Sequence, residues 1–414
     1  MVIGNGHSGK VGPEDSALAD SGPLLDSLLP RLTGSILVTL DDGASVGESV
    51  DLLTARTQSQ VHIIQSFEGS RSIKGEHTLL FEDIGVALFT PARSGRSAGV
   101  MAELLRDDIV LEARPEFFLF SQQEYRDTTE HTWGVGATKA WESSYTGLGI
   151  RIAILDTGID LDHPDFKGRS IVTRSFVNGE DIMDAQGHGT HCAGTAAGRA
   201  RSPGVPRYGV APDASLYIGK VLNNRGFGAE RDIIAGIRWA IEQRCEIISM
   251  SLGGPVQPGI SYSRAHERLA KIALDNSCLI MAAAGNESNR TFNAIAPVGW
   301  PANVPSILAV GAVDPLYKPA SFSNGGINPD GGELDLVAPG VNIFSSVPRP
   351  RLYNTNSGTS MACPHAAGVA ALWAESDPSL RGRALWKALK AHSRKLTYNV
   401  RDVGAGLVTA PPAP

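Results

Sequence analysis

The sequence predicts an α/β protein: a doubly wound parallel sheet with helices on both faces, preceded by a small α+β unit of ferredoxin-like element order. Three observations carry the prediction. From about residue 130, short runs recur that are apolar without alternation and end in Gly- or Asp-bearing turns. Such runs suit strands buried on both faces of a parallel sheet. Helical segments separate several of them, and alternating β and α units indicate a doubly wound domain. Before them, residues 35–120 follow the order β-α-β-β-α-β, which is that of a ferredoxin-like unit.

Residues 1–30, rich in Gly, Ser, Asp and Pro, read as a flexible leader. Within it Gly4 to Lys10 matches the phosphate-loop spacing GxxxxGK. Val11 stands where the Ser or Thr should be and no strand precedes it, so the match carries no nucleotide site. The small unit spans 31–120. SILVTL is a strand, ESVDLLTAR a helix, VHIIQS and GVALFT strands, SAGVMAELLRDD a helix and IVLEARPEFFLF the last strand. A polar stretch, SQQEYRDTTEHT, links it to the large domain, which spans 121–414. There the expected strands are 150–156, 215–222, 246–252, 278–286, 306–313 and 333–340. Helices are expected over 230–243 and 262–276. In such folds the site lies at the carboxyl ends of the strands.

With 414 residues, 42% hydrophobic and 19% charged, the chain can bury a large core. A formal net charge of −6 argues against nucleic-acid or acidic-lipid partners, which demand a basic face. No run of 18 apolar residues is present, so no membrane span is expected. No basic segment followed by an apolar stretch opens the chain, so no secretory signal is visible. Four cysteines, Cys192, Cys245, Cys278 and Cys363, are too few for a disulfide scaffold and lack zinc spacing. Cys245 and Cys278 each begin an apolar run and could lie side by side; a bridge and two free thiols are both open.

Three residues at predicted strand or helix ends carry chemistry only as a set. Asp156 ends the first apolar run, where a turn aspartate would serve equally. His188 lies in GHGTHCAGTAAG, whose small residues allow close backbone approach. His188 and His191 could instead ligate a metal, but no nearby Glu or suitably spaced Cys completes that geometry. Ser360, in NSGTSMACPHAAGVAALW, begins a helix. There a hydroxyl sits among free N–H groups in a positive local field, and Pro364 is acceptable in the first turn. The order Asp…His…Ser on a parallel α/β sheet is a recurring solution to acyl transfer. It is not the GxSxG elbow, because Ala362 stands where the second Gly belongs.

DTGIDLDHPDF, GHGTHCAGT and SGTSMACPHAAGVAAL resemble the three signature segments of the subtilisin-like serine proteases. The similarity continues through SMSLGG, AAAGNES, VGWPANVPSILAVGAV and ELDLVAPGV, over roughly 130–410, and HGTHC is similar to the proteinase K branch. Residues 35–120 resemble the inhibitor-type propeptide of secreted subtilisins. The resemblance implies a serine endopeptidase made as a zymogen. Ser360 would be its nucleophile, His188 its base and then acid, and Asp156 the group that orients His188. Asn286, with the Ser360 N–H, would form the oxyanion site. Ser251, Leu252 and Gly253 with Gly226, Phe227 and Gly228 would sandwich an extended peptide. Ala283, Ala284 and Gly299 would line a first pocket for bulky apolar side chains, with Glu287 at its rim. Proteins or peptides would be the substrates, the propeptide an intramolecular inhibitor, the enzyme a monomer, and no cofactor would enter the chemistry.

The chain departs from the family's pattern at the loop 198–209, GRARSPGVPRYG. Its three arginines and two prolines bring no carboxylate to the strong calcium site, for which Asp165 matches one ligand. Glu333 and Asp335 match a second, weaker cation site, and they read equally well as solvated loop carboxylates. Glu116-Phe117-Phe118-Leu119-Phe120 would lie in the cleft and be cut between about Phe118 and Gln123. A segment this long favours an exported enzyme. Other readings are a non-catalytic binding protein on the same scaffold, a transpeptidase using the same triad, or an independent binding module at 35–120.

Overall fold

A computed structural model describes residues 32–64, 73, 75–92, 96–117, 125–202, 204–256 and 261–413. The chain divides into two compact units, Ser27–Gln122 and a larger one holding Gln123–Pro414. The expected leader and the expected cut between Phe118 and Gln123 fall outside the described residues.

The smaller unit runs β1 (Leu32–Leu40), α1 (Val46–Thr57), β2 (Gln60–Ile63), β3 (His77–Phe81), β4 (Val86–Thr90), α2 (Ser97–Leu104) and β5 (Val110–Phe117). Alternation along β1 buries Ile36, Val38 and Leu40 against Leu53 of α1 and Val100 and Leu104 of α2. A capping box starts α1: Ser45 Oγ accepts from Glu48 N–H and the Glu48 carboxylate accepts from Ser45 N–H. The sheet order is β2-β3-β4-β1-β5, one strand more than the sequence predicts. The strand that the pattern misses is β3. Four of its five residues are buried, so period-two alternation is silent there. VHIIQS, expected as the second strand, is instead the added edge β2, parallel to β3. Without it, β3-β4-β1-β5 is the ferredoxin-like order. Pro115, which cannot donate to a neighbour, lies on the edge strand β5.

In the larger unit a short helix α3 (Trp133–Ala137) precedes β6 (Arg151–Asp156), β7 (Val172–Ser175), α4 (His188–Ala197) and β8 (Ser215–Lys220). Then come α5 (Glu230–Glu242), β9 (Ile247–Met250), α6 (Arg264–Asp275), β10 (Leu279–Ala283), β11 (Leu308–Val313) and β12 (Leu336–Pro339). A hairpin of β13 (Ile343–Ser346) and β14 (Tyr353–Asn356) leads to α7 (Thr359–Ser376), α8 (Gly382–His392) and α9 (Val400–Val403). All six apolar runs form strands. The edge strand β7 and the hairpin were not foreseen, because VTRS, IFSS and YNTN are too polar to read as strands. The seven-stranded sheet has the order β12-β11-β10-β9-β6-β8-β7 and is parallel throughout. Every residue of β9, β10 and β11 is buried, as expected of strands covered by helices on both faces. Among the described residues no helix is long and apolar enough to cross a membrane.

This order positions the site. β8 and β9, successive strands in the chain, flank β6 on opposite sides, so the winding reverses around β6. The crevice at such a reversal is where doubly wound folds bind ligands. Asp156 is the last residue of β6.

Candidate active site

Asp156 is fully buried. Its Oδ1 accepts from Thr157 N–H at 2.7 Å and lies 2.8 Å from His188 Nδ1, with Oδ2 at 3.0 Å from the same nitrogen. Gly158 then turns the chain at φ +109, against the Ile182 carbonyl. His188 opens α4, a helix of Gly, Ala, Thr, His and Cys whose residues after His188 are all buried. Small residues let it pack this closely: a Cβ on Gly189 would overlap the carbonyl oxygen of Gly158. Burial disfavours an imidazolium at His188, but the Asp156 carboxylate beside Nδ1 outweighs it and raises the pKa well above its ordinary value. Cys192, one turn along α4, has its sulfur 3.9 Å from the same Nδ1. Burial pushes its thiol pKa up, so it stays neutral. His191 is buried, with Nε2 3.0 Å from the Ile343 carbonyl, and is no partner to His188 on a metal.

A carboxylate that the sequence did not reveal ties this pair together. Asp184 Oδ1 accepts from Thr157 Oγ1, Gln186 N–H and Gly187 N–H; Oδ2 accepts from Thr190 N–H and Oγ1, all at 2.7–3.1 Å. Thr157 Oγ1 in turn accepts from Gly189 N–H at 2.8 Å. One side chain therefore links the residue after Asp156 to the residues around His188. Lys220, fully buried and paired in register with Asp156 on β8, donates to the Thr157 carbonyl at 2.5 Å and to Asn224 Oδ1 at 2.8 Å. Glu180 lies 3.2 Å from its ammonium. The only sequence signal for Lys220 was a single cation inside an apolar strand run.

Ser360 is the second residue of α7. Its hydroxyl donates to the Ser251 carbonyl at 3.3 Å, and its own carbonyl accepts from Ser251 Oγ at 2.7 Å. Its N–H has no acceptor among the described residues. Asn286 follows β10. Its Oδ1 accepts from Thr359 N–H at 2.8 Å and Thr359 Oγ1 at 3.0 Å, which fixes the amide so that its N–H₂ remains for a ligand. His188, Asn286 and Ser360 line one cleft of ≈ 360 Å³.

Most of the residues expected to bind a peptide line the same cleft: Ser251, Leu252, Gly253, Gly226, Phe227, Gly228, Ala283 and Gly299. Ala284 does not. It is buried behind them, its carbonyl accepting from Gly299 N–H at 2.8 Å. Phe227 is 71% exposed, a large apolar surface at the cleft. Glu287 lines it too, with Oε2 bonded to Asn324 Nδ2. Trp300, which sequence reasoning missed, forms another wall and is hydrogen-bonded to Gly254 in both directions.

Neither the weak cation locus nor the doubted stronger one has a set of side chains free to hold a metal. Asp335 is buried, and its oxygens already accept from Lys390 Nζ at 2.8 Å, Trp386 Nε1 at 3.1 Å and Ala309 N–H at 3.0 Å. The weak site proposed at Glu333 and Asp335 is corrected accordingly: the Lys390 ammonium supplies the positive charge, and Glu333 is an exposed loop residue. At the stronger locus, Asp165 accepts from the hydroxyls of Ser202, Tyr208 and Tyr353. Arg199 donates to the Asp165 and Lys167 carbonyls at 3.1 and 2.7 Å. Oxygens turned toward protein donors do not form a hard-cation cage. All four cysteines are buried free thiols, including Cys245 and Cys278.

Comparison with known proteins gives this geometry a lineage. The model of the subtilase family matches residues 147–406, more than half of the chain. Subtilisin E of Bacillus subtilis (strain 168) is 42% identical over 252 residues, covering 60% of this chain and 62% of that protein. An intracellular serine protease of Paenibacillus polymyxa is 43% identical over 243 residues, 58% of this chain and 70% of its own length. Among solved structures, a cold adapted subtilisin-like serine proteinase superposes with a TM-score of 0.54 at 31% identity, covering 69% of this chain and 94% of its own. With the Asp156–His188 pair at the reversal of the sheet and Ser360 across the cleft, the conclusion is that the chain belongs to the subtilase family.

Proposed function

We propose that the chain is a serine endopeptidase that cuts proteins through an acyl-enzyme. The observation that carries this is the buried Asp156 holding His188 Nδ1 in a cleft shared with Ser360 and the Asn286 amide. Asp156 fixes the tautomer, leaving Nε2 to accept the Ser360 proton once that hydroxyl turns from the Ser251 carbonyl. The oxyanion formed at the scissile carbonyl takes the Ser360 N–H and the Asn286 N–H₂. His188 then passes its proton to the departing amine, and water repeats the sequence on the acyl group. Residues 226–228 and 251–253 offer backbone groups to an extended peptide, and Ala283 and Gly299 leave room for a bulky apolar side chain before the cut. The enzyme works as a monomer without a cofactor in the chemistry.

The 31–120 unit serves as an inhibitory pro-segment that the enzyme removes from itself between about Phe118 and Gln123. Its last described strand, β5, ends at Phe117, just before the apolar Phe118-Leu119-Phe120 and the polar stretch after it. Intact mass before and after incubation should fall by about the mass of the first 120 residues, and N-terminal sequencing should place the new end near residue 120. Ser360→Ala should stay full length. A wild-type chain that neither shortens, hydrolyses any peptide, nor accepts a fluorophosphonate on Ser360 would sink the endopeptidase reading.

A further inference from the structure

We infer that this enzyme favours acidic side chains just after the scissile bond, through Arg351 on the turn between β13 and β14. The inference rests on the endopeptidase reading and adds a preference to it. A second cleft of ≈ 440 Å³ adjoins the catalytic one, and His188 and Gln186 line both. The acyl half of a substrate lies against 226–228 and 251–253 in the first cleft. The departing amine takes its proton from His188, so the chain beyond it runs across the second.

The two clefts differ in charge. Among the described residues that line the first, Glu287 is the only carboxylate. The second has Arg349 and Arg351 in its wall and, among the described residues that line it, no carboxylate. The arginines have different tasks. Arg349 is committed: Nε lies 2.9 Å from Asp160 Oδ2, and Nη2 lies 3.1 Å from Asp160 Oδ1 and Asp162 Oδ2. Its own N–H also donates to Asp160 at 3.0 Å. This bidentate pair fixes the turn and largely neutralises Arg349. Arg351, two residues on, is exposed and has no carboxylate partner among the described residues. The first cleft thus presents an anion and the second an uncommitted guanidinium, so the polarity inverts across the bond to be cut. On a protein of net charge −6 that would otherwise repel acidic segments, this local cation decides which chains seat well.

The test uses quenched fluorescent peptides with one common acyl half and Asp-Glu, Asn-Gln or Lys-Lys directly after the scissile bond. Each kcat/KM is divided by the same protein's value on an acyl-anilide of that half, which has no residue beyond the cut. For wild type the acidic peptide should exceed the neutral one by about three- to fivefold, the scale of one exposed ion pair. The margin should shrink at about 1 M salt, where the screening length is near 3 Å. Arg351→Gln should flatten the series and Arg351→Glu should reverse it. Equal values for the three peptides in wild type, or an acidic preference surviving Arg351→Glu, overturns the inference alone. Failure to hydrolyse even the anilide overturns the endopeptidase reading and this inference with it.

Discussion

At His188 burial and the Asp156 carboxylate pull in opposite directions, and the carboxylate prevails. The sign of the pH dependence follows. The base must be neutral, so kcat/KM should be lost as pH falls through a raised pKa, with an acid limb above the ordinary value near 6.5. Asp156→Asn removes the raising influence; its limb should move to lower pH, with kcat down by about 10⁴. A wild-type limb at or below 6.5 would contradict this account. Asn286→Ala should lower kcat by about 10²–10³ with KM little changed, a figure measured on a subtilisin's own oxyanion asparagine. Asp184→Asn tests positioning: without a full charge for its five donors, the segment bearing His188 loosens. We expect kcat to drop by about 10²-fold, the scale of a 1 Å misplacement, while fluorophosphonate still labels Ser360 slowly. At this scale the motif residues were legible, because Asp156, His188 and Ser360 have distinctive neighbours. Asp184 and Lys220 were not. Their roles exist only once a strand end and a helix start are brought together, and nothing in DIMDAQGHG announces that.

At the scale of elements, the loop 198–209 reads in the sequence as a departure from the family's pattern. Its arginine, serine and tyrosine donors close around Asp165 and its neighbours, where ionic ligands would otherwise gather. Adding a chelator should therefore leave the melting temperature of the catalytic unit unchanged. Tyr208→Phe should instead destabilise it by about 1–3 kcal/mol, the cost of a buried carboxylate losing a donor, seen as a lower melting temperature. A chelator-induced drop larger than that of Tyr208→Phe would reverse this picture. Strands of the parallel sheet were legible because LIMAA and LAVGAV are apolar at every position. β3 was not, because four of its five residues are buried and no alternation marks it. β7 and the β13–β14 hairpin were not, because VTRS, IFSS and YNTN are too polar to read as strands. The hairpin matters most for the inferred preference after the cut, because its turn carries Arg349 and Arg351.

Over the whole molecule, the residues proposed to do the chemistry come from widely separated parts of the chain. Their register depends on pairings such as Ile152 with Ile247 and Asp156 with Lys220. Sheets assembled from such distant segments form slowly. Unfolded enzyme returned to native buffer should accordingly recover near-ultraviolet circular dichroism and peptidase activity together. Activity recovered well ahead of the dichroism would show that the site forms without the sheet. The place of Thr359 and Ser360 has a consequence in time. Both follow β12, the last strand of the large sheet, and Thr359 fixes the orientation of the Asn286 amide. A chain emerging from the ribosome displays Asp156 and His188 early, and Asn286 well before its partner exists. Until the segment that begins α7 has been made and docked, it has neither the proposed nucleophile, Ser360, nor the contacts that orient Asn286. On the proposed reading, the order of residues along the chain is thus also a schedule: acyl transfer must wait until the segment that begins α7 has been made and docked.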